Sequence, residues 1–231
     1  MSSPQPRGTA LASETKPNRE IRAPLSRERV LRAAIELADQ GGIESLSMRK
    51  LAQELGVEAM SLYHYFAHKD DLLGGMLDAV FAEMELPARG TDWRTDMRRC
   101  AVSARDVLLR HAWATKLIGE GALFPSQARL VWMNAILGRL RGAGFSPNMT
   151  HHAYHALDSH IVGFVLWVLP YLAISRERPD LAAKFLEDFP AAELPHLAEH
   201  IREHTEDRAG DTSEFEFGLE LILDGLERLR N

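Results

Sequence analysis

Residues 47–66 read SMRKLAQELGVEAMSLYHYF and contain two short apolar patterns with a glycine between them. The first pattern predicts a helix over 48–55 that ends at Gly56, and the second predicts a helix over 59–66. The apolar residues of each pattern share one helix face: Leu51, Ala52 and Leu55, then Leu62 and Phe66. Two short helices joined by a tight, glycine-containing turn are typical of the helix-turn-helix, whose second helix enters the major groove of DNA.

Two longer helical patterns flank this motif. One begins after Ser26, a favourable N-cap, and ends at Gly41. The other begins near His68 and continues to Met84. We therefore expect residues 23–70 to form a three-helix DNA-binding domain and residues 71–90 to form a helix that connects it to the rest of the chain.

The remainder of the chain, residues 91–231, also shows helical periodicity and lacks the alternating pattern of strands. Helices are predicted over 93–110, 115–120, 126–141, 149–169, 179–189, 195–203 and 214–229. The fold class is therefore all-α. The longest apolar run, 161–169, contains Gly163 and stops at Pro170, far short of the roughly 20 residues that span a bilayer, so no membrane partner is expected.

Composition limits the function classes. The formal net charge is −6, which argues against a protein that coats nucleic acid and requires any DNA contact to come from a local surface. The single cysteine, Cys100, excludes an internal disulfide and a cysteine-based zinc site. We expect a cytoplasmic protein. Residues 1–22 are rich in Ser, Pro and charge and are predicted to be a disordered tail, although Arg19 and Arg22 leave open a basic arm that touches DNA.

The predicted second helix of the motif has the side chains that a recognition helix needs. Small and polar residues at its first turn can meet base edges, and nearby donors can bind phosphate oxygens. Helix N-termini on either side add Arg49 and Lys69. The residues that we expect at the DNA on this basis are Arg49, Ala59, Met60, Ser61, Tyr63, His64, Tyr65 and Lys69. The alternative for the aromatic residues is packing.

Three segments of this region, 47–57, 61–66 and 69–73, resemble the DNA-binding domain of the TetR (tetracycline repressor) family. The resemblance implies an all-helical homodimer in which three N-terminal helices bind DNA and a helical C-terminal domain binds a small inducer and dimerises. Carried over by position, the family's DNA contacts fall on Met48, Arg49, Ala59, Met60, Ser61, Tyr63, His64, Tyr65 and Lys69.

A fainter similarity to the tetracycline-binding members extends into the second half of the chain, but two metal-ligand positions differ. The resemblance places Ile118 where those members have a histidine and Trp167 where they have a glutamate. Neither side chain can ligate a hard cation. His151, His152 and His155 lie close together in the sequence, and imidazoles at i and i+4 share one helix face. No further ligand is evident to complete a metal site, so we expect solvated or packed histidines, no metal and no cofactor.

Apolar and aromatic residues dominate this half, which suits a small, largely hydrophobic inducer held by a few hydrogen bonds. The candidate ligand contacts are His111, Trp113, Leu117, Trp132, Asn134, Tyr154, His155, Phe164 and Trp167. Their helical spacing is equally that of an ordinary bundle core.

Two predicted helices, 149–169 and 214–229, are long enough to pack against copies of themselves, and a two-fold dimer predicts a palindromic operator. The expected function is a ligand-responsive repressor that binds double-stranded DNA as a homodimer. One alternative is a regulator without a small ligand. An enzyme is disfavoured because no triad, metal or phosphate-loop constellation stands out.

Overall fold

The computed structural model describes residues 24–88, 90, 92–119, 126–177, 184, 187, 189–206 and 212–230. Within these ranges the regular structure is helical throughout, and the predicted all-α fold is confirmed. The predicted tail, 1–22, and most of the helix predicted over 179–189 lie outside the described residues.

Ten helices and one 3₁₀ turn have described bounds. They are α1 (Arg27–Gly41), a 3₁₀ turn (Ile43–Ser45), α2 (Met48–Leu55), α3 (Ala59–Leu62), α4 (Lys69–Ala82), α5 (Trp93–Arg110), α6 (Ala112–Gly119), α7 (Gln127–Gly142), α8 (Pro147–Glu177), α9 (Pro195–Glu206) and α10 (Thr212–Leu229).

The first three helices begin and end where local chemistry dictates. The hydroxyl of Ser26 accepts a hydrogen bond from the Arg29 amide, and that of Ser47 accepts one from the Lys50 amide, both at 3.2 Å. Gly56 closes α2 in the left-handed conformation, with φ 66° and ψ 40°, and its amide donates to the carbonyls of Ala52 and Gln53. This closure turns the chain directly from α2 into α3.

Helix α4 connects the N-terminal helices, α1–α3, to the helices that follow it, α5–α10, which we call the bundle. It packs against α1 on one side and α7 on the other. Its buried residues therefore surround the helix instead of forming one stripe: Leu72, Leu73, Gly74, Gly75, Met76, Leu77, Val80 and Phe81. One contiguous apolar core consequently extends from Val30 in α1 to Leu226 in α10.

Charged side chains fix the first helix of the bundle. The buried carboxylate of Asp96 lies 2.5 Å from Arg139 Nε and 3.1 Å from Arg99 Nη2, and it also accepts from the Ala88 amide. On the outer side, Arg94 lies 2.6 Å from Glu220 on α10. These contacts join α5 to α7 and to α10.

Several helix boundaries differ from prediction, among them the ends of α3 and α8. Helix α3 ends at Leu62, and residues 63–65 form a turn, although the Phe66 amide still donates to the Leu62 carbonyl at 3.1 Å. Helix α8 does not stop at Leu169 but continues through Pro170 to Glu177. Pro170 is exposed, so the carbonyl that loses its helical donor can bond to water, and the apolar run on either side favours a continuous helix.

The extension also bears on the membrane prediction. The segment Pro147–Leu172 is long and apolar enough to cross a membrane, by length and composition only. One side of it packs against α5, α7 and α10 in the core.

Replacing Gly56 by alanine tests the turn after α2, and the same replacement at Gly138 is the control. Gly56→Ala places a Cβ in the left-handed region and should lower the free energy of unfolding by about 1–2 kcal/mol. Gly138 is exposed inside α7, and a Cβ there meets nothing within 4 Å. Gly138→Ala should therefore raise the free energy by about 0.5–1 kcal/mol. Urea unfolding of both variants measures the difference, and equal stabilities would contradict the role of Gly56.

Candidate nucleic-acid interface and ligand cavity

Helix α3 and the turn that follows it have one buried and one exposed face. Leu62 and Phe66 are fully buried and hold the helix on the N-terminal core. On the other side, Met60 is 73% exposed and Tyr63 45% exposed. Anchoring on one face thus displays the other face to the surroundings.

The structure brings the predicted DNA contacts to three neighbouring helix starts and the turn after α3. Arg49 at the start of α2 is exposed, as are His64 in the turn and Lys69 at the first position of α4. Met48, Ala59 and Ser61 are half-buried. The exposed members provide cationic and aromatic groups around the end of α3.

Tyr65 differs from its neighbours because its polar groups already have partners. Its hydroxyl donates to the Leu25 carbonyl at 2.7 Å, and its own carbonyl accepts from Arg27 Nη1 at 2.9 Å. The Arg27 guanidinium lies 4.2 Å above the Phe66 ring. These contacts tie the turn after α3 to the start of α1. Sequence analysis missed Arg27 because its partners lie 38 or more residues away.

A polar cluster joins α1 to the bundle. The Asp39 carboxylate accepts from Trp113 Nε1 at 2.7 Å, and His111 Nδ1 lies 2.9 Å from it. His111 Nε2 also lies 3.3 Å from Glu83 at the end of α4. His111 and Trp113, which were predicted ligand contacts, therefore lie where the N-terminal helices meet α6.

A second polar junction joins α4 to the start of α7. The Asp78 carboxylate accepts from the Ser126 hydroxyl and from the Ala128 amide, both at 2.9 Å. An acceptor at this place satisfies a backbone donor of the first turn of α7. The position of α7 is thereby coupled to the position of α4.

A small cavity lies between α5, α7 and α8, and its accessible volume of about 10 Å³ has room for roughly one water molecule. Its wall is mostly apolar, with one carboxylate and two aromatic polar groups. The lining residues are Met97, Cys100, Ala101, Trp132, Ile136, Tyr154, Leu157, Asp158 and Ile161. Burial raises the pKa of the Cys100 thiol to about 12, so the thiol stays protonated at neutral pH.

Two of the nine predicted ligand contacts, Trp132 and Tyr154, line this cavity. Leu117 is buried in the core, and Asn134 is exposed on α7. His155 is exposed and lines an outer groove with Tyr154. Phe164 contacts the Phe215 ring, and Trp167 is 43% exposed. Asp158 is the charged lining residue that was not predicted, although its spacing of four from Tyr154 is a detectable signal.

Ile118 and Trp167, which occupy the positions of metal ligands in the tetracycline-binding members, do not line the cavity. Ile118 is half-buried on α6, and Trp167 packs against Tyr171 with ring centroids 5.1 Å apart. Among the described residues, no group of three or more His, Cys, Asp or Glu side chains is arranged to hold a metal ion.

Comparison with protein families gives two matches that together cover most of the chain. Residues 30–76 match the model described as bacterial regulatory proteins, tetR family. Residues 86–230 match the tetracyclin repressor-like C-terminal domain. The first match contains α2, α3 and the start of α4, and the second contains the cavity.

Individual proteins agree with these matches. The transcriptional repressor DrrR1 of Streptomyces coeruleorubidus is 32% identical over 225 residues, which are 93% of this chain and 82% of that protein. A possible TetR family regulator from Streptomyces coelicolor A3(2) superposes with a TM-score of 0.73 at 31% identity, over 88% of this chain and all of that one. The Streptomyces coelicolor TetR family protein ActR, in complex with actinorhodin, gives a TM-score of 0.70 at 26% identity, over 90% of this chain and all of that one.

Removing one hydroxyl distinguishes the structural tyrosine of the turn from the exposed one. Tyr65→Phe deletes the donor to the Leu25 carbonyl and should lower the free energy of unfolding by about 0.5–1.5 kcal/mol. Tyr63→Phe is the matched control, since no described residue accepts a hydrogen bond from its hydroxyl. Its stability should stay within about 0.5 kcal/mol of the wild type. Thermal or urea unfolding checks both values, and an unchanged Tyr65→Phe variant would contradict the assigned bond.

Proposed function

This chain belongs to the TetR family of helix-turn-helix transcriptional repressors, and we propose that it acts as a cytoplasmic homodimer on a palindromic operator and is released by a small organic inducer. The observation that carries the proposal is that α3 and the turn after it have one buried and one exposed face. Leu62 and Phe66 anchor the helix, while Met60, Tyr63 and His64 remain accessible. The accessible side chains fit base edges, and Arg49 and Lys69 beside them fit phosphates.

The homodimer is supported by an exposed apolar surface on α8 and α10. These helices pack against each other, with His160 Nε2 2.9 Å from the Phe215 carbonyl. Large apolar side chains nevertheless remain exposed on both: Leu166, Trp167, Tyr171, Phe217, Leu221 and Leu229. Large apolar side chains exposed on two packed helices are typical of a protein interface. A second copy of the chain would cover it by packing the same two helices in a four-helix arrangement.

The inducer is supported by the match of residues 86–230 to the tetracyclin repressor-like C-terminal domain, which favours a ligand-responsive regulator over one without a small ligand. The cavity between α5, α7 and α8 would have to widen from its accessible volume of about 10 Å³ to admit such a ligand. ActR of Streptomyces coelicolor, whose fold is similar, was solved in complex with actinorhodin. Trp132 on the cavity wall belongs to α7, whose first turn is bonded to Asp78 of α4. A ligand that shifts α7 would therefore shift α4 and the helices that hold α3, provided that it binds the two arrangements with different affinity.

The DNA-binding role is tested on the intergenic DNA beside the gene, by footprinting and by fluorescence anisotropy at several salt concentrations. Lys69→Ala should weaken binding to operator and unrelated DNA alike. Two phosphate contacts are lost per dimer, so the slope of log K against log salt should fall in magnitude by about two. His64→Ala should instead reduce preference for the operator.

The matched control is Lys184→Ala, which removes an exposed lysine outside the proposed interface. Its affinity and salt slope should equal those of the wild type. Binding by the wild type that is salt-sensitive but indifferent to sequence would contradict a specific operator.

The dimer is tested by a charge on the exposed apolar surface. Leu221 is 58% exposed on α10, and Leu221→Arg should convert the dimer to monomer because the arginine would be buried unpaired at the interface. Leu130→Arg is the control, since Leu130 on α7 is 59% exposed but lies outside α8 and α10. Analytical ultracentrifugation measures the mass of each variant. A dimeric Leu221→Arg, or a monomeric Leu130→Arg, would place the interface elsewhere.

A further inference from the structure

Two exposed histidines lie next to each other near the start of α8. His151 and His155 are four residues apart, so their side chains share one face of the helix. Their ring centroids are 4.5 Å apart, and both side chains are exposed. His152 lies beside them, with its ring centroid 5.4 Å from that of His151. The first turns of α8 therefore gather imidazole groups at the protein surface.

The backbone that carries this pair is held in place by the cap of α8. The Ser146 hydroxyl accepts a hydrogen bond from the Met149 amide at 3.2 Å, and the Ser146 carbonyl accepts one from the Thr150 amide at 2.8 Å. The same helix packs against α5 and α7. Two side chains on a fixed backbone lose little conformational freedom when they bind one ion together.

The outer groove between α7 and α8 leaves room for an ion with its water ligands. His151 and His155 line this groove, which has an accessible volume of about 400 Å³. Met133 on α7 contributes an apolar side chain to the lining. Arg141 also lines the groove, but its guanidinium donates a hydrogen bond to the Phe145 carbonyl. The two imidazoles are therefore the groups along this groove that best suit a transition metal.

We propose that His151 and His155 chelate one borderline-soft divalent cation of the Zn²⁺ or Ni²⁺ class, with water in its remaining coordination positions. An ion bonded to a nitrogen of each ring at about 2.0–2.1 Å requires only small rotations of rings that already lie side by side. Imidazole suits Zn²⁺, Ni²⁺ and Cu²⁺, whereas Mg²⁺ prefers oxygen ligands.

This proposal replaces the sequence-based expectation that these histidines bind no metal. That expectation required a further protein ligand, as in a closed structural site. An exposed pair does not require one, because water reaches the remaining positions of the ion. The proposal is independent of the proposed DNA-binding and inducer functions, since neither uses His151 or the outer groove.

Calorimetric titration of the full chain with zinc, nickel and magnesium chlorides at neutral pH tests the site. Zn²⁺ and Ni²⁺ should bind at micromolar concentrations, and Mg²⁺ should not bind. His151→Gln and His155→Gln should each weaken Zn²⁺ binding by at least about tenfold, because one of two imidazole ligands is lost. The Cys100 thiol is buried and protonated, so it supplies no competing thiolate. A wild type that binds Zn²⁺ only at millimolar concentrations would overturn the proposal.

A second pair of histidines with the same spacing, His196 and His200 on α9, provides the matched control. His200→Gln should leave the binding assigned to α8 unchanged. Zn²⁺ binding that survives in His151→Gln and disappears in His200→Gln would place the ion on α9 and contradict the site. His152→Gln should weaken binding less than His155→Gln does, and an equal loss would show that the ligand pair is wrong.

Thermal unfolding gives a readout that does not depend on calorimetry. An ion that joins two turns of α8 binds the folded chain in preference to the unfolded one, so excess Zn²⁺ should raise Tm and EDTA should reverse the increase. His151→Gln should abolish the increase. Its Tm without metal should equal that of the wild type, because the side chain is exposed. An increase of the same size in wild type and variant would show that Zn²⁺ binds elsewhere and would overturn the proposal.

Discussion

The burial of α4 on both sides is the constraint on which the rest of the structure depends. A helix that packs against α1 and α7 at once cannot be amphipathic, and its residues from Leu72 to Phe81 are mostly apolar. The packing is close enough that a Cβ on Gly75 would lie 3.0 Å from Leu31 Cδ2. Helices α1 and α7, packed this tightly on α4, share its movements. The reason is that protein interiors deform by discrete repacking and not by gradual compression.

Two carboxylates determine which movements are shared. Asp78 bonds α4 to the first turn of α7, and Asp39 bonds the end of α1 to Trp113 of α6. Each of the two carboxylates is partly shielded from water. Losing a hydrogen bond at such a site costs more free energy than losing one at the surface. A displacement of α7 or α6 is therefore transmitted to the N-terminal helices unless one of these bonds breaks.

Sequence alone could predict the parts of the molecule that depend on local chemistry. Gly56 and the spacing of Leu62 and Phe66 specify the turn and the anchored face of α3, because both act within a few residues. The partners of Tyr65 and Trp113 could not be predicted, since Leu25 and Asp39 lie far away along the chain. Periodicity likewise cannot separate a residue that lines a cavity from one that fills the core. Distances between helices, which the sequence pattern does not contain, decide that difference.

Helix α8 carries both part of the cavity wall and part of the surface proposed to meet a second copy. Tyr154 and Asp158 lie on its buried side at the cavity, whereas Trp167 and Tyr171, farther along the same continuous helix, are exposed on the surface proposed to meet the second copy. Both regions belong to one continuous helix, which passes through Pro170. A ligand that repositions the cavity side of α8 would therefore change the angle at which the two protomers meet. Because two recognition helices must stay about 34–36 Å apart to bind successive turns of the major groove, a small change of that angle is enough to separate them from the operator.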